Sequence, residues 1–487
     1  MIKRISHNEW RNPHSCGTFE GIASELSLTP VPKNTKRSGG SPSGGRTPTA
    51  RLFDVNSALE RAYLIAVDTD DDDNPWDTAD SIAELAALAR TAGAEVVGSA
   101  IQRLKRPDTA TYFGKGRANE IATEFDALGV TLVIVDDELT PAQGRNLEEA
   151  LHRKIIDRTG LILDIFAQHA RTREGHLQVE LAQNEYRLPR LAGSRDHLSR
   201  LGGGSRGASG GSGGAIGARG PGETKLEIDR RRVRTRIVEL KSELDEVREH
   251  RTRQRSQRSA LAMPIVSVVG YTNAGKSTLF NALTAAGVFV EDKLFATLDP
   301  TTRHLVLPSH QEILLTDTVG FIQKLPTTLI AAFRATLEEV SEADVLLEVV
   351  DITHENAVEQ SETVNVVLRE LEAGKKPRVT ALNKIDKLED ASAVDTTLFP
   401  NAVPISAQTH AGFDALLEMI GRVVSATMEP VHVSIPFARG DLVELFHRRG
   451  RVREEEHTGE GTNITGLLPP SLRAIFRPYE AEAAKGL

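Results

Sequence analysis

One cysteine, Cys16, is the whole thiol content of 487 residues. It cannot close an intramolecular disulfide or supply a cysteine zinc site, which excludes a disulfide scaffold and a zinc-finger architecture. Aromatic residues are sparse, at 5%. No apolar run approaches the ~18 residues that would span a bilayer, and the longest candidates, such as Val345–Val350 with Glu348 inside it, are strand-sized. The N-terminus lacks the apolar segment of a secretory leader, so the expectation is a cytoplasmic chain without a membrane span. A dominant sign of charge is missing too. The 59 basic side chains nearly balance 68 acidic ones, for a net charge of −9, and this average argues against a nucleic-acid binder.

What is present is an alternation of short apolar runs and helical stretches. Residues 1–57 stand outside it. They are poor in apolar side chains, contain Ser38-Gly39-Gly40-Ser41-Pro42-Ser43-Gly44-Gly45, and read as a poorly ordered extension. Over 58–170 the pattern predicts strands at Tyr63–Val67, Glu95–Ser99, Thr131–Val135 and Lys154–Asp157. Helices are predicted at Ser81–Ala92, capped by Ser81 or Asp80, at Arg117–Leu128 and at Pro141–Leu151. That is a small α/β domain with a parallel-type sheet. A helix follows over 171–192. Then come 12 glycines within 193–222 and a long helix over about 223–258. In that helix Leu226, Val233, Ile237, Leu240, Leu244 and Val247 are spaced 7, 4, 3, 4 and 3, an a/d seam. Two readings fit: a helical hairpin over 171–260 with a glycine-rich tip, or an amphipathic helix packed on its own domain. The alternation returns over 261–428, and 429–487 forms a short C-terminal domain. The expected fold class is multidomain α/β.

The densest chemistry lies at Gly270-Tyr271-Thr272-Asn273-Ala274-Gly275-Lys276-Ser277, a full match to G-x-x-x-x-G-K-[ST] between a strand (Ile265–Val269) and a helix beginning at Ser277-Thr278. Glycines there let backbone N–H groups approach phosphates at the positive end of the helix. Lys276 would neutralise β/γ-phosphates and Ser277 would ligate Mg²⁺. Downstream, an apolar strand ends in Asp317-Thr318-Val319-Gly320. Asp317 can hold a metal-bound water, and Gly320 can offer its N–H to a γ-phosphate. A third strand ends in Asn383-Lys384-Ile385-Asp386. Asp386 can accept two hydrogen bonds from guanine, which adenine cannot supply. Lys384 can cover the base, and Ser406-Ala407-Gln408 after the next strand suits guanine O6.

These elements, in this order, resemble the translation-factor class of P-loop GTPases. Within it the chain resembles the HflX family. The resemblance is carried by Phe295-Ala296-Thr297-Leu298-Asp299-Pro300-Thr301, Asp317-Thr318-Val319-Gly320-Phe321-Ile322, Gly217-Ala218-Arg219-Gly220-Pro221-Gly222-Glu223-Thr224-Lys225-Leu226-Glu227, Ile155-Ile156-Asp157-Arg158-Thr159 and Leu163-Asp164-Ile165-Phe166-Ala167. It covers about 58–430. Lys225 departs from it, since family members often carry glutamine there. The resemblance implies Mg²⁺-dependent hydrolysis of GTP to GDP, with Lys276, Thr297 and Gly320 as the catalytic set. Phe295, Ala296, Leu298 and Asp299 join the nucleotide-binding segment, and Thr297 joins Ser277 on the metal; Thr301 competes for that role. Phe321 occupies the position where many GTPases carry a water-orienting glutamine, so intrinsic hydrolysis is expected to be slow. Asn273 resembles GTPases that bind K⁺ against the phosphates.

Divided by segment, the charge tells a different story. Residues 193–260 carry a net +7 on an otherwise acidic chain. Arg206, Arg219, Lys225, Arg230, Arg231 and Arg232 are candidate phosphate contacts for a structured RNA. The resemblance implies the large ribosomal subunit and its ribosomal RNA as partner, with separation of subunits under stress as the outcome, by a monomeric protein. Two rivals remain at this level. One is a GTP-timed switch on a protein partner, and the other an ATP-using enzyme with a chance N-K-x-D.

Overall fold

The computed structural model describes residues 59–69, 76–191, 221–260, 263–284, 294–295, 297–326, 329, 334–390 and 394–480, with backbone alone over 221–226, 250–260 and 334–336. The expectations for residues 1–57, the glycine-rich loop, Arg206, Arg219, the Lys225 side chain and Ala296 lie outside the described residues.

The first sheet is built from β1 (Arg61–Asp68), β2 (Glu95–Arg103), β3 (Leu132–Val135) and β4 (Lys154–Asp157). The order is β2-β1-β3-β4, and every pair is parallel. Helices α1 (Thr78–Thr91), α2 (Lys115–Leu128), α3 (Pro141–Leu151) and α4 (Arg158–His169) cover its two faces. Covering both faces makes β3 a wholly apolar Leu-Val-Ile-Val run, buried at every position. Leu64, Leu132 and Ile134 pack with Leu85, Ile162 and Phe166, while Ile65, Val133 and Val135 pack with Ile121, Phe125 and Leu147. Thr140 and Gln143 form a reciprocal capping box at α3, with Pro141 in the first turn.

Two local expectations need correction. The α1 cap is neither Ser81 nor Asp80 but Asp77, whose carboxylate accepts from the Ala79 N–H. Ser81 is buried instead and donates to Asp136 at 2.7 Å. The second is α4, for which the sequence reading assigned no element. Leu161 to Phe166 are all buried, so this helix has no polar face and no amphipathic period to detect.

α5 (Arg173–Arg190) and α6 (Pro221–Ala260) pack against each other. Leu177 and Leu181 meet Ile237, Leu240 and Leu244, with Leu188, Val233 and Val247 at the margins. Arg173 pairs with Glu243 and Glu180 with Arg236, so the helices run antiparallel. Of the two readings, the one in which α6 pairs with the preceding helix fits this contact. The Leu226 side chain lies outside the described residues.

The central sheet has the order β10-β9-β8-β5-β7-β6. Its strands are β5 (Ile265–Gly270), β6 (Thr301–Val306), β7 (Glu312–Asp317), β8 (Val345–Asp351), β9 (Arg378–Asn383) and β10 (Ala402–Pro404). All are parallel except β6, which pairs antiparallel with β7. Its helices are α7 (Lys276–Thr284), α8 (Arg334–Glu342), α9 (Ala357–Glu370) and α10 (Phe413–Ala426). β5 lies at the centre, and the chain crosses from one side of it to the other, which opens a crevice at the carboxyl ends of β5, β7 and β9.

A third, antiparallel sheet of order β11-β13-β12 follows: β11 (Glu429–Pro436), β12 (Arg451–His457) and β13 (Gly461–Leu468). α11 (Gly440–Arg449) and α12 (Pro470–Phe476) complete a small core of Val433, Ile435, Phe446, Ile464, Leu468 and Phe476. Arg448 and Arg449 reach Glu312 on β7 at 3.0 and 2.8 Å.

Candidate functional site

The turn from β5 into α7 wraps closely around its own backbone. Gly275 has φ +95°, and a Cβ there would collide with the Asn383 amide. Lys276 curls back so that Nζ donates to the Tyr271 carbonyl at 2.7 Å. Burial lowers its pKa to about 8, against the opposing pull of Asp317. Gly320 approaches the same ammonium so closely that a Cβ would lie 2.9 Å from Nζ.

Three oxygen-bearing side chains converge beside this turn. Ser277 Oγ donates to Asp317 Oδ2 at 2.8 Å and lies 2.7 Å from Thr297 Oγ1. Asp317 has no exposed surface. Its Oδ1 has no hydrogen-bond partner among the described residues. Burial holds its carboxyl above the usual carboxylate range, opposed by Ser277 and Lys276. An orphaned buried carboxylate oxygen beside two hydroxyls is the hard-oxygen donor set that Mg²⁺ takes, so these residues fit that ion. Thr301, the competing residue, begins β6 opposite Asp317 in the ladder, and it is the Thr297 hydroxyl that meets Ser277.

The third cluster holds the end of β9. Asn383 Nδ2 donates to the Ala274 carbonyl at 2.8 Å, and its Oδ1 accepts from the Ala407 N–H at 2.9 Å. Lys384 has φ +71°. Its Nζ donates to the Asn273 carbonyl at 2.9 Å and pairs with Asp351 at 2.6 Å. Ser406, fully buried, donates to Asp386 Oδ1 at 2.5 Å. Ile385 N–H bonds the Ile405 carbonyl, and Gln408 is exposed. The three motif loops are thus cross-tied at one crevice, through Ser277 to Asp317, through Asn383 to Ala274 and through the Thr272 N–H to the Phe321 carbonyl.

Several side chains expected at the nucleotide point elsewhere. Phe295 and Leu298 are buried core residues, and Phe295 meets Phe166 of α4 edge-on at 4.7 Å. The Asp299 carboxylate accepts from the Arg171 and Thr172 N–H groups at 2.9 Å and from the Thr172 hydroxyl. Thr318 donates to the Val268 carbonyl at 2.6 Å, and Val319 is buried. Asn383 spends both ends of its amide as a strut. Alternation along β7 accounts for Thr318 turning away from Asp317, whereas the Thr297 segment is not a strand and Phe295 has φ +57°, so its side chains follow no two-residue period. The Phe321 ring is 1% exposed and its backbone pairs with the first loop at Gly270 and Thr272, so no water-orienting group stands there.

Tyr271 also turns its side chain out of the crevice, into a cluster that spacing alone could not reveal. Its ring stacks on Trp76 at 5.9 Å. Its hydroxyl donates to Glu84 and accepts from the Gln323 N–H. Arg158, wholly buried, pairs with Glu84 and with Asp136, the latter at 2.7 Å. Burial lowers the Arg158 pKa to about 10. Lys324, four residues past Gly320, bridges Asp136 and Asp137 at 2.6 Å each. Asp351, the partner of Lys384, was likewise unmarked by any motif. Asp157 accepts from the Gly160 N–H and from Tyr186 and Arg190 of α5.

On α6, Arg230 is half-buried, and Arg231 and Arg232 are exposed, with Arg232 3.8 Å from Asp229.

Family models match three successive stretches of the chain. That of the GTP-binding GTPase N-terminal region matches 79–167, that of its middle region 169–258, and that of the 50S ribosome-binding GTPase 265–384. The GTPase HflX of Caldanaerobacter subterraneus subsp. tengcongensis is 48% identical over 420 residues, spanning 86% of this chain and 94% of that protein. That of Escherichia coli is 42% identical over 414 residues, 84% of this chain and 94% of its own. Among solved structures, a GTP-binding protein from the archaeon Sulfolobus solfataricus in complex with GDP is 23% identical and covers 76% of this chain and 99% of its own, at a TM-score of 0.38. With relatives above 40% identity along nearly their full length, the chain belongs to the HflX family of GTPases.

Proposed function

We propose that the chain binds GTP in the crevice at the ends of β5, β7 and β9, hydrolyses it to GDP and phosphate, and couples that cycle to the large ribosomal subunit, promoting its separation from the small one. The observation that carries the nucleotide reading is the convergence of Ser277, Thr297 and Asp317 beside Lys276, with the Asp386 carboxylate held by Ser406. In this reading the N–H groups of 273–277 and the Lys276 ammonium neutralise the phosphates. The Gly320 N–H faces the γ-phosphate, and Asp386 accepts from guanine. Ser277 and Thr297 would ligate Mg²⁺ directly and Asp317 through a water; that ion, when bound, neutralises charge developing between the β- and γ-phosphoryl oxygens. Catalysis is then positioning and charge neutralisation, and with Phe321 buried the attacking water is left to a partner or a further ion. Asn273 marks where K⁺ would sit. A hydrolysis rate at least severalfold higher in K⁺ than in Na⁺ buffer is the expected result, and equal rates would remove the ion from the mechanism.

Support for the ribosomal partner comes from the family model over 265–384 and from the basic character of 193–260. The test is co-sedimentation of the full chain with ribosomal particles, with GDP or a non-hydrolysable GTP analogue. Binding should require the analogue and fall steeply with salt, as phosphate contacts do. Deleting 202–222 should abolish it while GTP affinity persists. Unchanged co-sedimentation, or binding insensitive to salt, would instead favour a switch that acts on a protein.

A further inference from the structure

We propose that Asp299 is a positioning residue that latches the Thr297 segment to the start of α5, so that the occupant of the nucleotide crevice is sensed at the first turn of the α5–α6 pair. The inference rests on the GTP reading above and adds a route by which that site acts on another element.

The geometry is a short lever. Thr297 faces the crevice, with its hydroxyl 2.7 Å from Ser277 Oγ. Leu298 is anchored in the core at 2% exposure. Asp299, the next residue, accepts the Arg171 and Thr172 N–H groups through Oδ2 and the Thr172 hydroxyl through Oδ1. Thr172 is itself the N-cap of α5 and accepts from the Gly175 N–H at 3.0 Å. The carboxylate therefore takes two of the N–H groups that precede the helix and sits where the helix dipole favours an anion. Gly175 leaves room for it, since a Cβ there would lie 2.5 Å from Asp299 Oδ1. With Leu298 fixed between them, Thr297 cannot leave the crevice without loading the bond to Thr172. Conversely, a held Thr172 keeps Thr297 against Ser277. Thr297 is needed on the metal only when the γ-phosphate is present, so the latch belongs to the GTP-bound arrangement and adds nothing to GDP binding.

The experiment measures affinities of the full chain for GDP and for a non-hydrolysable GTP analogue, in Thr172→Val, Gly175→Ala and Thr172→Ser. Thr172→Val removes the hydroxyl. Gly175→Ala improves helix propensity yet crowds the carboxylate, so it disturbs the latch without threatening the fold. Both should weaken the analogue on the order of three- to tenfold, the worth of one accessible hydrogen bond to a charged group, while GDP stays within twofold. Thr172→Ser should restore the wild-type ratio. A variant that weakens both nucleotides equally, or neither, would overturn the latch and leave Asp299 a fold-stabilising contact. The GTP reading is checked separately in the wild type, and failure to bind guanine nucleotides there would sink that reading first.

Discussion

In the GTP reading proposed above, the choice of base rests on one carboxylate, Asp386, held by one hydroxyl. The Ser406 bond to Oδ1 fixes its orientation and leaves the outer edge to accept from a base. Asp386→Asn keeps the shape and replaces an acceptor with a donor. GTP affinity should fall on the order of 10²–10⁴-fold, the loss of two bonds to a charged group, while xanthosine triphosphate, which offers a carbonyl in place of the amino group, should bind better than to wild type. Competition binding with the two nucleotides checks this. At this scale the placing of the three motifs at the ends of strands was legible, because each follows a short apolar run that ends in a glycine or a polar residue. What was not legible was the direction of side chains inside a recognised segment. Nothing in Phe-Ala-Thr-Leu-Asp says that Thr297 alone turns toward Ser277 while Phe295, Leu298 and Asp299 turn to α4 and α5. That choice is made more than 100 residues upstream, by an apolar surface for Phe295 and Leu298 and by the N–H groups before α5 for Asp299.

Among the elements, the α5–α6 pair was readable because its apolar residues keep a heptad period, and α4 was not because it has no polar side to set a period against. The pair is held by its seam more than by its ion pairs, since Arg236 and its glutamates are partly exposed and such pairs add little. Leu240 has no exposed surface and sits at the middle of the seam. Leu240→Ala should cost about 2–5 kcal/mol within that pair. Hydrogen exchange along 227–249 should rise well before the central sheet responds. Uniform loss of protection throughout the chain would mean that the pair and the sheet unfold as one unit.

For the molecule as a whole, the C-terminal sheet is joined to the central one through Glu312, which meets Arg448, Arg449 and His304. Burial alone would raise its pKa, but the two arginines outweigh burial and hold it below the usual carboxylate range. The stability it contributes is therefore complete above the unfolded value of about 4.3 and is lost as pH falls through the depressed folded value. Thermal melts should show an acid-side loss below about pH 4 that Glu312→Gln largely removes, at the expense of lower stability near neutrality. None of this joint could be read from the sequence, because its members lie up to 145 positions apart and carry no motif. The charge average hides its parts for the same reason: it sums a net +7 over 193–260 into an otherwise acidic chain.

The cluster of Trp76, Glu84, Asp136, Arg158, Tyr271 and Lys324 bears on how this protein can be studied. A fragment cut at residue 261 would keep all three motifs of the crevice, yet it would put the Tyr271 ring and Phe295 in water and strip Lys324 of both anions. The complementary fragment would keep Arg158, Asp136 and Glu84 but open their burial. Neither half is a faithful miniature of the whole, and kinetics measured on an excised piece describe a different molecule.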